Sequence, residues 1–147
     1  MDDIIFGVLK YKAHKDFLSL KAKGNSMWPR IKDGDSVIVR EKTEYDIGDI
    51  IVFKYNKADL IMHRVVKKVH GGYWCKGDNS FRIENIKIDS IIGGVIKINE
   101  NAMETETSEI TKASLQIGLL YIRSNYSVET IVNRTEYIDY RKKFIDI

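Results

Sequence analysis

The sequence predicts a mainly β, α+β fold: an antiparallel β-rich body with a short N-terminal helix and a helical C-terminal extension. Three observations carry this reading. Between residues 17 and 98, short runs rich in Val and Ile recur with Gly and Asp turn signals between them. On either side of that stretch the apolar spacing becomes helical. The chain's 147 residues, 44% hydrophobic and 31% charged, make about one domain that can bury a sizeable core, a composition foreign to disordered segments.

The elements follow in order. Ile4, Ile5, Val8, Leu9 and Ala13 recur at near-helical spacing behind Asp2 and Asp3, either of which would cap a helix over 3–15. Phe17, Leu18 and Leu20 read as a strand that ends in a turn at Gly24. The dipeptides Gly34-Asp35, Gly48-Asp49 and Gly77-Asp78 mark tight turns, Gly supplying the unusual backbone angle and Asp a local hydrogen bond. The first two lead into the strands Val37–Val39 and Ile50–Phe53, and further strands are expected at Leu60–Val66, Tyr73–Lys76 and Ile91–Ile98. After Ile98 the composition shifts. Residues 101–108 are polar and acidic, and apolar residues from Ile110 to Ile122 then recur at helical spacing. Ser127 would cap a further helix through Tyr140. The expected division is a β-rich body over 1–100 and a helical extension over 101–147, with no internal repeat.

Composition narrows the function. Cys75 is the single cysteine, so neither an intrachain disulfide, a four-cysteine zinc site nor a thiol redox pair is available. The 24 Lys and Arg outnumber the 21 Asp and Glu by three and are spread along the chain, unlike the clustered footprint of a nucleic-acid binder. No apolar run approaches the roughly 20 residues of a membrane helix. The acidic opening Met1-Asp2-Asp3 is unlike a secretory signal. The expectation is a cytoplasmic protein without an integral membrane anchor.

One hydroxyl stands in unusual surroundings, in Gly24-Asn25-Ser26-Met27-Trp28-Pro29 directly after a strand. Gly24 permits close approach of another backbone, and Pro29, the only proline, ends strand pairing. Such a turn would present both the Ser26 hydroxyl and its backbone N–H, as an acyl-transfer nucleophile and oxyanion donor require. An ordinary polar turn is the plain alternative. His63 lies in the run Leu60–Val66, where residues 61, 63 and 65 share a strand face. A lone histidine there is more often a packed core residue, but a turn serine needs a base, and a neutral imidazole with its other nitrogen held by a carboxylate supplies one. Lys67, about 13 Å further along the strand, cannot replace it. The carboxylate would be Asp78 or, slightly beyond, Glu84. An Asp after Gly is commonly a turn residue and no more. His14 and His70 lack a second ligand at metal-site spacing, and there is no phosphate loop or dinucleotide motif.

Taken together these segments resemble the type I signal peptidase family and its relatives, the self-cleaving repressors of the SOS response. From about Phe17 to Ile98, the boxes follow the family order: Ser26-Met27-Trp28-Pro29, Lys32-Asp33-Gly34-Asp35-Ser36-Val37, Gly48-Asp49-Ile50-Ile51-Val52-Phe53, His63-Arg64-Val65, Lys76-Gly77-Asp78-Asn79 and Ile92-Gly93-Gly94-Val95. The bacterial branch has a lysine base where this chain has His63, so the resemblance is to the archaeal and endoplasmic-reticulum branch, in which serine works with histidine and an acid. The resemblance implies catalysis by Ser26 and His63 with Asp78, matched by position, as the favoured acid and Glu84 as its competitor. It implies no metal and no organic cofactor. It also implies that an extended substrate pairs with Lys21–Asn25, including Gly24 and Asn25, and with Ile61 and Met62.

Two departures stand out. Gly24 occupies a position where signal peptidases carry a serine that supports the oxyanion, and no apolar run in the sequence is long enough for the membrane anchor that signal peptidases carry. Short relatives of this kind are associated with removal of a leader segment from modified peptides, so the expected substrate is a peptide or protein precursor, cleaved by a soluble serine endopeptidase. The rival from another class is a non-catalytic peptide-binding module of the same fold. Residues 101–147 would either bind a protein partner through Tyr121, Tyr126, Tyr137, Tyr140 and Phe144 or pack on the β-body as core.

Overall fold

The computed structural model describes residues 1–56, 60–103 and 108–145. Helix α1 (Asp3–Lys15) starts at Asp2, whose carboxylate accepts the Ile4 N–H at 2.6 Å. Seven strands follow before the last helices: β1 (Leu18–Lys21), β2 (Ser36–Arg40), β3 (Ile50–Lys54), β4 (Leu60–Val69), β5 (Gly72–Lys76), β6 (Ile83–Lys87) and β7 (Ile91–Ile98), with a two-residue β8 (Asn101–Ala102). They form one antiparallel sheet in the order β1-β2-β7-β3-β4-β5-β6, and β8 pairs with the end of β7. The helices α2 (Ser108–Arg123), α3 (Val128–Ile131) and α4 (Thr135–Ile145) follow.

Both faces of the sheet are covered, which explains why β3 reads as a continuous apolar run. Ile50 and Val52 join Val37, Val39, Ile92 and Val95 in a core that α1 closes with Ala13, while Ile51 and Phe53 join Val65, Tyr73, Cys75 and Ile86 in a second core. A third cluster, Ile110, Ala113, Ile117 and Phe144, seals α2 against α4. Phe81, between β5 and β6, stacks on Tyr137 with ring centroids 5.8 Å apart. Helices α2 and α4 are therefore packed on the β-body. Of the five aromatic residues expected at a contact surface, Tyr126 alone is exposed, and Phe144 is buried.

The expected antiparallel β-rich body and flanking helices are present, and three details differ. Strand β6 has no counterpart in the prediction, because Glu84 and Ile86 are its inward residues and a carboxylate at an inward position hides the alternation. The last predicted helix is broken between α3 and α4, where Ile131, Val132 and Asn133 are weak helix formers. The Gly-Asp turns also diverge. Gly34 and Gly48 have positive φ, and Asp35 and Asp49 accept the backbone N–H groups of Lys32 and Asp46. Asp78 is different: it is buried and its carboxylate serves another residue. Of the polar stretch expected at 101–108, residues 104–107 lie outside the described residues.

Candidate active site

The Ser26 turn leaves β1 through Gly24, whose φ of +83° a side chain would strain. Its N–H donates to Asp33 Oδ1 at 2.7 Å, and Trp28 N–H and Ile31 N–H close successive turns onto Asn25 O and Met27 O. From across the site Asn79 ties the turn down, its backbone N–H donating to Ser26 O at 2.8 Å and its side-chain amide to Asn25 O at 3.1 Å. Asn25, expected to meet substrate, spends its carbonyl on the turn itself. The Ser26 N–H has no acceptor among the described residues.

Adjacent residues of β4 point to opposite faces of the sheet, and each finds its own acid. His63 is 8% exposed and its Nδ1 is hydrogen-bonded to Oε1 of the buried Glu84. The register explains the contact: Val65 pairs with Cys75 and Cys75 with Glu84, so β6 brings its acid onto the face that carries His63, across a small side chain. On the other face Arg64, fully buried, donates from Nε and Nη2 to both oxygens of Asp78 at 2.8 and 2.6 Å, and from Nη1 to Gly48 O at 3.0 Å. The order of preference expected between the two acids is thus reversed: Glu84 contacts His63, while both Asp78 oxygens are committed to a guanidinium.

Gly77 sits where these parts converge. A Cβ built there would lie 2.7 Å from Ser26 O, 2.7 Å from Ser80 Oγ and 2.9 Å from His63 Nε2, so the absent side chain is what lets the serine turn and the imidazole approach one another. Lys76, fully buried beside it, donates from Nζ to Gly77 O at 2.9 Å and to Ser114 Oγ of α2 at 3.2 Å. Burial pushes its ammonium down to about 8, against the pull of Asp78 and Glu84. Burial likewise raises the Cys75 thiol well above its ordinary range, leaving it unreactive.

Ser26 opens onto a cleft of about 210 Å³. One wall is the end of β1 and the loop to Gly24, the other is Leu60, Ile61 and Met62, and Met27, Ile31 and Val52 form an apolar floor. Both walls are strand edges. β1 ends the sheet, and β5 begins to pair with β4 at Arg64, leaving residues 60–62 beyond its reach. Of the residues expected to meet substrate, Gly24, Ile61 and Met62 line the cleft, and Asn25 is not among its lining residues. Among the described residues no group of three or more His, Cys, Asp or Glu side chains converges as a metal site, and no helix is long and apolar enough to cross a membrane.

A family model described as Peptidase S24-like matches residues 2–105, from α1 through β8 and with it the whole sheet. The chain belongs to the Peptidase S24-like family. A peptidase-type function follows at the family level. No curated protein matches the sequence. The S24-like segment ends before α2, so the helices that contact Lys76 and Asn79 lie outside the matched residues. Four residues around this site are given no role by the sequence reading. Arg64 and Lys76 stand in apolar strands, and a buried cation in such a place signals a partner. Ser80 and Arg141 gave no such signal.

Proposed function

We propose that this chain is a serine endopeptidase in which Ser26 is the nucleophile, His63 the general base and acid, and Glu84 the carboxylate that orients the imidazole. The observation that carries the reading is the pair of environments at His63. Nδ1 is held by buried Glu84, and Nε2 faces the Gly77 gap that the Ser26 turn shares. A carboxylate at Nδ1 fixes the tautomer with its proton there and leaves Nε2 free to accept. Ser26 Oγ then attacks the scissile carbonyl as Nε2 takes its proton, and Glu84 stabilises the imidazolium. Nε2 returns the proton to the leaving amine, and a water deprotonated by the same nitrogen hydrolyses the acyl-enzyme. The unspent Ser26 N–H supports the oxyanion.

The substrate is an extended segment of a peptide precursor. It adds to the free edges at residues 20–24 and 60–62 by main-chain hydrogen bonds, with small apolar side chains directed at the Met27, Ile31 and Val52 floor. Removal of a leader or signal segment suits such a cleft, because recognition rests mostly on backbone. Asp78, held by Arg64, shapes the loop that carries Gly77 and Asn79. A fluorophosphonate probe tests the chemistry without knowledge of the substrate: Ser26→Ala should abolish labelling and His63→Ala should slow it by about 10⁴-fold, both with native folding. Wild-type labelling in the Ser26→Ala variant overturns Ser26 as the nucleophile, and no labelling of the native chain leaves a peptide-binding module instead. Incubation of candidate precursors with the native chain, read by mass spectrometry, then identifies the bond cut.

A further inference from the structure

We infer that Arg141 of α4 is a positioning residue for the Ser26 turn, acting through Asn79; its catalytic consequence rests on the function proposed above. Arg141 Nη2 donates to Asn79 Oδ1 at 3.0 Å. Its guanidinium lies 5.6 Å from the ring centre of Trp28, two residues beyond Ser26, and 5.7 Å from that of Phe144. Nη1 is buried with no hydrogen-bond partner, so the side chain is held over the turn despite the cost of losing water.

The chemistry of the Asn79 amide makes this contact directional. Its Oδ1 meets a donor that cannot deprotonate, and its Nδ2 meets an acceptor, Asn25 O. A flipped amide would set NH2 against the guanidinium and oxygen against a carbonyl. Arg141 therefore selects the one orientation in which Asn79 clamps the carbonyl before Ser26, while the Asn79 backbone N–H clamps the carbonyl of Ser26 itself. The matched S24-like residues stop at 105, so the C-terminal helices contribute a brace to a nucleophile they do not contain.

The experiment combines amide hydrogen exchange with the rate of fluorophosphonate labelling in the full chain, for Arg141→Ala, Arg141→Lys and Arg123→Ala. Arg123 pairs with Glu136 at the surface of the same two helices, at 3.9 Å, and reports loosened helix packing alone. In Arg141→Ala the amides of Trp28 and Asn79, which donate to Asn25 O and Ser26 O, should exchange about tenfold faster, as the clamp opens locally. Labelling of Ser26 should slow by about tenfold, Arg141→Lys should recover part of both effects, and Arg123→Ala should show neither. Unchanged exchange at Trp28 and Asn79 in Arg141→Ala, or an equal rise in Arg123→Ala, overturns the inference. If exchange responds as stated while the native chain is never labelled, the brace stands and the peptidase reading fails.

Discussion

Two buried pairs sit side by side on β4, and their difference separates structure from chemistry. Arg64 and Asp78 form a closed pair: both carboxylate oxygens and three guanidinium nitrogens are spent on protein partners. His63 and Glu84 form an open pair, one nitrogen held by the acid and the other facing the gap beside the Ser26 turn. Both acids are buried and both lie after Gly77 in sequence, so exposure does not distinguish them, and the Gly-Asp-Asn box favours the one in the closed pair. Unspent capacity does distinguish them. A pair whose donors and acceptors are all satisfied holds the fold, whereas one with a directed free nitrogen is able to move a proton.

Breaking the closed pair should have the largest effect on stability. Asp78→Ala leaves a fully buried guanidinium without its counter-charge, and unfolding free energy in denaturant titration should fall by about 3–5 kcal/mol. The molecules that remain folded should still label at Ser26, because no atom of Asp78 touches the imidazole in the proposed mechanism.

Lys76 sharpens the comparison from the side of the closed pair. Its ammonium is lowered to about 8 in the fold, from 10.5 in the unfolded chain, so between those values the unfolded state binds more protons and stability rises with pH. Below pH 8 the burial cost is present in full, and above 10.5 it is gone. The difference amounts to about 3 kcal/mol at 1.36 kcal/mol per pH unit. Lys76→Met should flatten this rise, which equilibrium unfolding of both chains from pH 7 to 10.5 would measure. An equally steep rise in Lys76→Met would assign it to other groups.

Much of this is legible in the sequence. Val and Ile runs mark β2, β3, β4 and β7, the run Tyr73–Lys76 marks β5, Asp2 caps α1 as its position suggests, and a turn at Gly24 leads to Ser26. The choice between Asp78 and Glu84 was not legible, because it depends on strand register. β4 shifts register between Val65 and Lys67 in its pairing with β5, and no local residue signal announces which residue of β6 then lies on the His63 face. Glu84 concealed its own strand by replacing an inward apolar residue. The role of the last helices was hidden for a similar reason: Arg141 reads as a solvated helix residue, and its contact with Asn79 spans 62 positions.

The central claim is that the imidazole is oriented by Glu84 and that Asp78 holds the fold, and it is tested most directly by the rate of Ser26 labelling per folded molecule in Glu84→Gln and Asp78→Asn. Glu84→Gln keeps the shape but takes away the charge that fixes the Nδ1 proton and stabilises the imidazolium, so labelling should slow by about 10²–10⁴-fold while the unfolding midpoint stays near that of the native chain. Asp78→Asn should lose stability and label within about tenfold of the native rate, the size of the effect expected from a loosened Asn79 clamp. The reverse pattern, with Asp78→Asn inert and Glu84→Gln labelled at the native rate, would contradict the account.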